Sequence, residues 1–311
     1  MSALLFPGQG SQVVGMGSEL YTNFDLVKKI FKQADEKLKY PLSKIILEGP
    51  TDQLQLTQNT QPAILTVSYS IFKVLEVEFG FNFKSFKYFA GHSLGEYSAL
   101  VCSNALDLND ALYLLYERGK AMQEAVPVGK GSMVAVLGVT IKDISEMIQN
   151  RNDKEGICEI ANDNADGQVI ISGDKYSVES MQNLFKEKKI KSIPLKVSAP
   201  FHCSLMKPAA DMMKEKINST TFRNPSFPII NNVNAKAEID PNIIKKLLVD
   251  QIFCTVRWRE SIINMSENGV TNFIEIGPGK VLTGMVKRTI KNANCFSINS
   301  ITDIKNLTNE F

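Results

Sequence analysis

Apolar residues in this chain alternate between short unbroken runs, which suit buried strands, and longer stretches with apolar positions three and four apart, which suit helices. Ser2–Phe6 (SALLF) is such a run, stopped by Pro7-Gly8, and predicts a strand followed by a loop. Helical spacing follows over Phe24–Leu38 and Ala63–Phe79. Phe86–Ala90 (FKYFA) predicts a second strand, with helices from Leu94 onward and over Asp107–Met122. Strand–loop–helix alternation of this kind predicts an α/β fold with a mainly parallel sheet.

The pattern changes near Val126, where Pro127, Gly129 and Gly131 make a linker. Ser132–Gly138 then reads as a strand, Lys142–Gln149 as a helix, and Ile157–Ala161 and Gln168–Ser172 as two strands. Asp174–Lys186 is a helix with Val178, Met181 and Phe185 on one face, and Ile190–Val197 a last strand. The order βαββαβ is the ferredoxin-like arrangement. Residues 126–198 are therefore expected to form a small subdomain, inserted into a large subdomain made of 1–125 and 199–311. Beyond it, Leu205–Ile217, Asn242–Arg257 and Arg259–Asn268 read as helices. Phe227–Asn231 and Phe273–Ile276 read as strands, the latter ending at Gly277-Pro278-Gly279.

Composition narrows the class. The 311 residues are 44% hydrophobic and 22% charged, as in a soluble globular protein. With 35 basic and 33 acidic residues there is no basic excess, so nucleic acid is not an expected partner. The 5 cysteines are dispersed without a C-x-x-C pair, which argues against a disulfide framework or a metal site and fits a reducing cytoplasm. The opening MSALLFPGQG has no basic segment ahead of its apolar run, so no secretory signal is expected. No apolar stretch reaches the ~18 residues of a membrane span.

Candidate chemistry centres on AGHSLGEYSAL, Ala90–Leu100, where Gly91, Ser93 and Gly95 form G-x-S-x-G. Between a strand and a helix, this spacing permits a tight turn that lifts the serine hydroxyl clear of the backbone. The helix N-terminus that follows favours developing negative charge. Ser93 is thus a candidate nucleophile; alone, the motif could be a structural turn. A serine needs a base, and the chain has 2 histidines. His92 adjoins Ser93 and should point away from it, which leaves His202, in SAPFHC (Ser198–Cys203), by elimination. Acids between Ser93 and His202 lie mostly in the insert or on exposed faces, so a dyad oriented by a backbone carbonyl is favoured over a triad.

Arg118 bears on the substrate. It falls in the apolar stripe Ala111, Leu115, Met122, whereas Glu117 points elsewhere. A guanidinium on such a face needs an anion, and its fork suits a carboxylate. Snorkelling to solvent or a structural salt bridge are the plainer readings. Met122 is either a pocket wall or a core side chain. The loop Phe6–Gln12 lacks a G-K-[ST] ending, so it is no phosphate loop. It could supply one amide of an oxyanion hole, or be a simple turn. Lys186, Lys188, Lys189 and Lys191 read as a solvated helix end or a docking surface for an acidic partner.

Taken in order, the motifs resemble the bacterial malonyl-CoA:acyl carrier protein transacylases of fatty-acid synthesis over nearly the whole chain. They are FPGQGSQ (Phe6–Gln12), GHSLGEYSAL (Gly91–Leu100), ERG with Met122, and ANDN-x-x-GQ-x-x-ISG (Ala161–Gly173). PFH (Pro200–His202), Q-x-x-x-x-V-x-W (Gln251–Trp258, one residue shorter before Val256) and EIGPGKVL (Glu275–Leu282) follow. The resemblance implies that Ser93 is acylated, His202 is its base, and amides of Gln9 and Leu94 form the oxyanion hole. It also implies that Arg118 grips the malonyl carboxylate, that the Gln251 carbonyl orients His202, and that the α/β core is hydrolase-like with an inserted ferredoxin-like subdomain. The implied substrate is malonyl-CoA and the implied partner an acidic acyl carrier protein bearing phosphopantetheine, with no resident cofactor, no metal and a cytoplasmic location. A serine hydrolase, a catalytically dead carrier-binding scaffold and a polyketide acyltransferase are the competing readings.

Overall fold

The computed structural model describes residues 1–151, 156–195, 197 and 199–311, and among these ten strands form two sheets. In chain order they are β1 (Ser2–Phe6), β2 (Phe86–Gly91), β3 (Gly131–Leu137), β4 (Cys158–Ala165) and β5 (Gln168–Asp174). They continue with β6 (Lys191–Pro194), β7 (Ile229–Ile230), β8 (Ala237–Glu238), β9 (Asn272–Ile276) and β10 (Asn294–Ile298). The larger sheet has the order β10-β9-β1-β2-β7-β8 and is parallel except for β8. Its central strand β1 is buried at all five positions, which is why SALLF is apolar without alternation. The smaller sheet is antiparallel, in the order β4-β5-β3-β6.

Parallel pairing sets Phe6 opposite Gly91, so the loops leaving β1 and β2 emerge side by side at one edge of the sheet. Ligand crevices in parallel α/β sheets lie at such carboxyl ends. The approach is tight enough to require glycine: a Cβ at Gly95 would fall 2.2 Å from the Phe6 carbonyl oxygen. A similar constraint docks helix Leu108–Glu124 onto helix Thr57–Lys73, since a Cβ at Gly119 would meet Gln58 Cα at 2.6 Å.

Several element boundaries differ from the sequence expectation. The helix expected over Asn242–Arg257 spans Pro241–Gln251, because Val256 leaves it to pair with β4. The Val256 amide donates to the Ala161 carbonyl at 2.8 Å, and its carbonyl accepts from Asp163 at 3.0 Å. The next helix is Trp258–Glu267. The helix expected over Ala63–Phe79 begins at Thr57 and gives way to a π turn at Val74–Glu78. Phe227–Asn231 contributes only the two residues of β7. The strand expected to Val197 ends at Pro194; Lys196, and Ser198 at the expected subdomain boundary, lie outside the described residues. Helices Ser18–Asn23, Leu42–Glu48, Val281–Thr289 and Ile301–Glu310, together with β10, carry no expectation from the sequence pattern.

Candidate active site

Ser93 sits at the turn between β2 and helix Gly95–Cys102 with φ +52°, a left-handed conformation rare for a side chain with a Cβ. Such strain persists only where surrounding contacts hold it. Here the Ser93 amide donates to Asn232 Oδ1 at 2.7 Å, and Asn232 Nδ2 donates to the Gly91 carbonyl at 2.8 Å. Asn232 thereby staples both ends of the turn. His202 is likewise left-handed, at φ +57°.

The two meet in the interior: Ser93 Oγ and His202 Nε2 are 2.8 Å apart. His202 Nδ1 lies 2.8 Å from the Gln251 carbonyl oxygen, which can only accept. The proton therefore sits on Nδ1 and the Nε2 lone pair faces the serine hydroxyl. That carbonyl is free for this contact because helix Pro241–Gln251 stops there. Burial, with Arg118 second, pushes the His202 pKa down to about 3, so the imidazole is neutral at physiological pH. His92 turns away, with Nε2 2.8 Å from Asn164 Oδ1 and its ring edge-to-face with Trp258.

Arg118 is buried, at 1% exposure, which rules out snorkelling. Its Nη1 donates to Gln61 Oε1 at 2.8 Å, and its Nη2 to Gln251 Oε1 at 2.9 Å and Ser93 Oγ at 3.1 Å. The Tyr97 ring lies behind it at 5.9 Å. Its Nε has no acceptor, and among the described residues it forms no ion pair. Glu117 instead pairs with Lys216 at the surface. A buried cation held by neutral oxygens, with donors to spare, favours an anionic ligand.

A cavity of about 290 Å³ opens at this point, lined by Gln9, His92, Ser93, Leu94, Arg118, Met122 and His202 among others. Met122 is both buried and a wall of it, with its sulfur 3.9 Å from Gln61 Nε2. Among the described residues the backbone N–H groups of Gln9 and Leu94 have no protein acceptor, whereas that of Ser93 is taken by Asn232. The cavity also touches the small sheet, through Met133, Ala135 and Ile170, so both sheets enclose it. Lys186, Lys188, Lys189 and Lys191 are exposed.

Three contributors escaped the sequence reading. Gln61 and Asn232 are neutral side chains in otherwise ordinary segments, with no local motif to mark them. Glu96, inside the GHSLGEYSAL stretch, belongs to the acids expected mostly in the insert or on exposed faces, yet it is 1% exposed. It contacts the Gln251 side chain, at 2.7 Å, rather than His202. Two quoted motifs have structural work: Asp163 pairs with Arg259 at 3.0 Å, and Glu275 accepts from the amides of Leu282 and Thr283 at the start of helix Val281–Thr289.

Comparison with known proteins gives consistent matches. The family described as acyl transferase domain matches residues 3–310. Malonyl CoA-acyl carrier protein transacylase of Bacillus subtilis is 44% identical over 290 residues, covering 92% of this chain and 89% of the relative. The enzyme of that name from Escherichia coli K12 is 40% identical over 298 residues, covering 96% and 95%. Among solved structures, an acyl-carrier-protein-S-malonyltransferase from Bartonella henselae superposes with TM-score 0.96 at 44% identity, covering 99% and 98%. A malonyl-transacylase in complex with a type II PKS acyl-carrier protein superposes with TM-score 0.95 at 39% identity, covering 100% and 99%.

Proposed function

The chain belongs to the acyl transferase domain family, and from that premise we propose that it moves malonyl from malonyl-CoA to the phosphopantetheine thiol of an acyl carrier protein, for fatty-acid biosynthesis. The observation that carries the reading is one buried cluster in which Ser93 Oγ stands 2.8 Å from His202 Nε2 and 3.1 Å from Arg118 Nη2.

His202 Nε2 takes the Ser93 proton as the serine oxygen bonds to the thioester carbonyl carbon. Amides of Gln9 and Leu94 stabilise the oxyanion of the tetrahedral intermediate. The C–S bond then breaks, and the CoA sulfur leaves with the proton from His202. Malonyl remains as an ester on Ser93. The carrier thiol next gives its proton to His202 and attacks that ester, and Ser93 recovers its proton as the C–O bond breaks. The Gln251 carbonyl keeps the imidazole in the required tautomer throughout.

Arg118 selects the acyl group by its free carboxylate and turns it away from water. The same pairing adjusts the base. The Arg118 cation helps hold His202 at low basicity, and a bound carboxylate offsets that cation. Nucleophile and base both come from the chain, and the proposed reaction draws on no resident metal or prosthetic group. Met122 limits the width of the pocket beside the carboxylate. These features favour transfer over a plain serine hydrolase, which has no use for a buried arginine here.

We also read the small sheet with its two helices, residues 126–198, as a ferredoxin-like insert between 1–125 and 199–311. The strand order β4-β5-β3-β6, antiparallel throughout, supports that reading. A cytoplasmic location suits the proposed substrates; among the described residues no helix is long and apolar enough to cross a membrane. The experiment is intact-mass analysis after incubation with malonyl-CoA. A malonyl adduct that is absent in Ser93→Ala, and that purified carrier protein discharges to malonyl-carrier, is the expected result. Free malonate in place of transfer would overturn it.

A further inference from the structure

We infer that Glu96 is a positioning residue that fixes the Gln251 side-chain amide, and through it the Arg118 fork that receives the substrate carboxylate. The inference rests on the functional reading above and deepens it. Glu96 lies on helix Gly95–Cys102, in the first turn after Ser93. Its Oε2 accepts from Gln251 Nε2 at 2.7 Å and from the Asn232 amide at 3.1 Å. Gln251 Nε2 also reaches the Ser93 carbonyl at 3.1 Å and Asn232 Oδ1 at 3.3 Å.

All three of these neighbours present acceptor oxygens, so the NH₂ end of the amide must face them. The Gln251 oxygen is thereby turned toward Arg118, where it accepts from Nη2 at 2.9 Å. Reversing the amide would set its NH₂ against the guanidinium and its oxygen against the Glu96 carboxyl. Glu96, the nearest of the three acceptors, thus bears most on a two-way choice whose result is felt at Arg118. The same oxygen that holds Gln251 also anchors Asn232, which staples the Ser93 turn. One buried acceptor therefore ties the nucleophile's backbone to the substrate's anchoring cation.

Burial raises the Glu96 pKa to about 7, against the pull of the Gln251 and Asn232 donors and of Arg118. The contact itself is that of an acceptor at one position, and a carboxamide oxygen there would serve as well.

The test compares kcat/KM for malonyl-CoA and acetyl-CoA in wild type, Glu96→Leu and Glu96→Gln, with thermal melting of each. Only malonyl uses the Arg118 fork, so Glu96→Leu should lower the malonyl-to-acetyl ratio tenfold or more, and Glu96→Gln should recover most of it. A merely structural role would depress both substrates together and leave the ratio where it was; that result overturns the inference. If Glu96→Leu does not fold, the isosteric Glu96→Gln still decides, because a tenfold fall of its ratio contradicts an acceptor role. A wild type without preference for malonyl would instead strike the functional reading beneath.

Discussion

Arg118 Nη2 stands 3.1 Å from Ser93 Oγ, and among the described residues no carboxylate is paired with that guanidinium. A cation this deep is costly unless its neighbours supply oxygens, and Gln61, Gln251 and Ser93 do so without charge. Ser93 and Arg118 therefore share one hydrogen-bonded cluster, which on the proposed function would set the attacking oxygen beside the carboxylate anchor.

The pH dependence should carry the mark of this arrangement. The His202 pKa is about 3, below the ordinary 6.5, so the base stays unprotonated until the pH falls far below neutrality. Acylation of Ser93 by malonyl-CoA, followed between about pH 5 and pH 8, should lack an acid limb at the ordinary histidine position. Arg118→Ala removes one of the causes of the depression, second only to burial, and should move the acid limb upward. An unmoved limb would show that the cation has no hold on the imidazole.

Asn232→Ala should act differently from changes at Arg118. It leaves the buried Ser93 N–H and the Gly91 carbonyl without partners, each costing about 1–3 kcal/mol. A clear drop in melting temperature and parallel loss of malonyl and acetyl transfer are expected. Melting curves and both rates would check it; a selective malonyl defect would contradict it.

Gly119→Ala probes how Arg118 is delivered. A Cβ there would lie 2.6 Å from both Gln58 Cα and the Thr57 carbonyl oxygen, all backbone of the facing helix. The helices must part, at about 1–3 kcal/mol, and Arg118 is drawn away from Gln61. Stability should fall, and malonyl transfer should fall more than acetyl transfer. Equal kinetics with wild type would mean that the interface absorbs the methyl group without moving Arg118.

What the sequence made legible follows from range. Ser93 lies between a recognisable strand and helix, and His202 stood out because there are only 2 histidines. Arg118 showed itself by standing in an apolar stripe of its own helix. Gln61 and Asn232 were not legible, because their partners lie 57 and 139 residues away and their side chains have no local signature; Glu96 stands in a motif, but its partner Gln251 is 155 residues away. The same holds for the fold. Long strands such as β1 and β3 announced themselves, whereas the two residues of β7 have no period to read. The end of helix Pro241–Gln251 is set by pairing of Val256 with a strand almost a hundred residues earlier, not by a helix stop signal in its own segment.

The most direct measurement is transfer to purified acyl carrier protein from malonyl-CoA and from acetyl-CoA, by wild type and by Arg118→Ala. Wild type should prefer malonyl, and the substitution should lower malonyl kcat/KM by about 10²–10⁴ while acetyl changes far less, because only malonyl presents a carboxylate to the guanidinium. Equal losses for the two substrates would contradict the assignment of Arg118 as the carboxylate anchor.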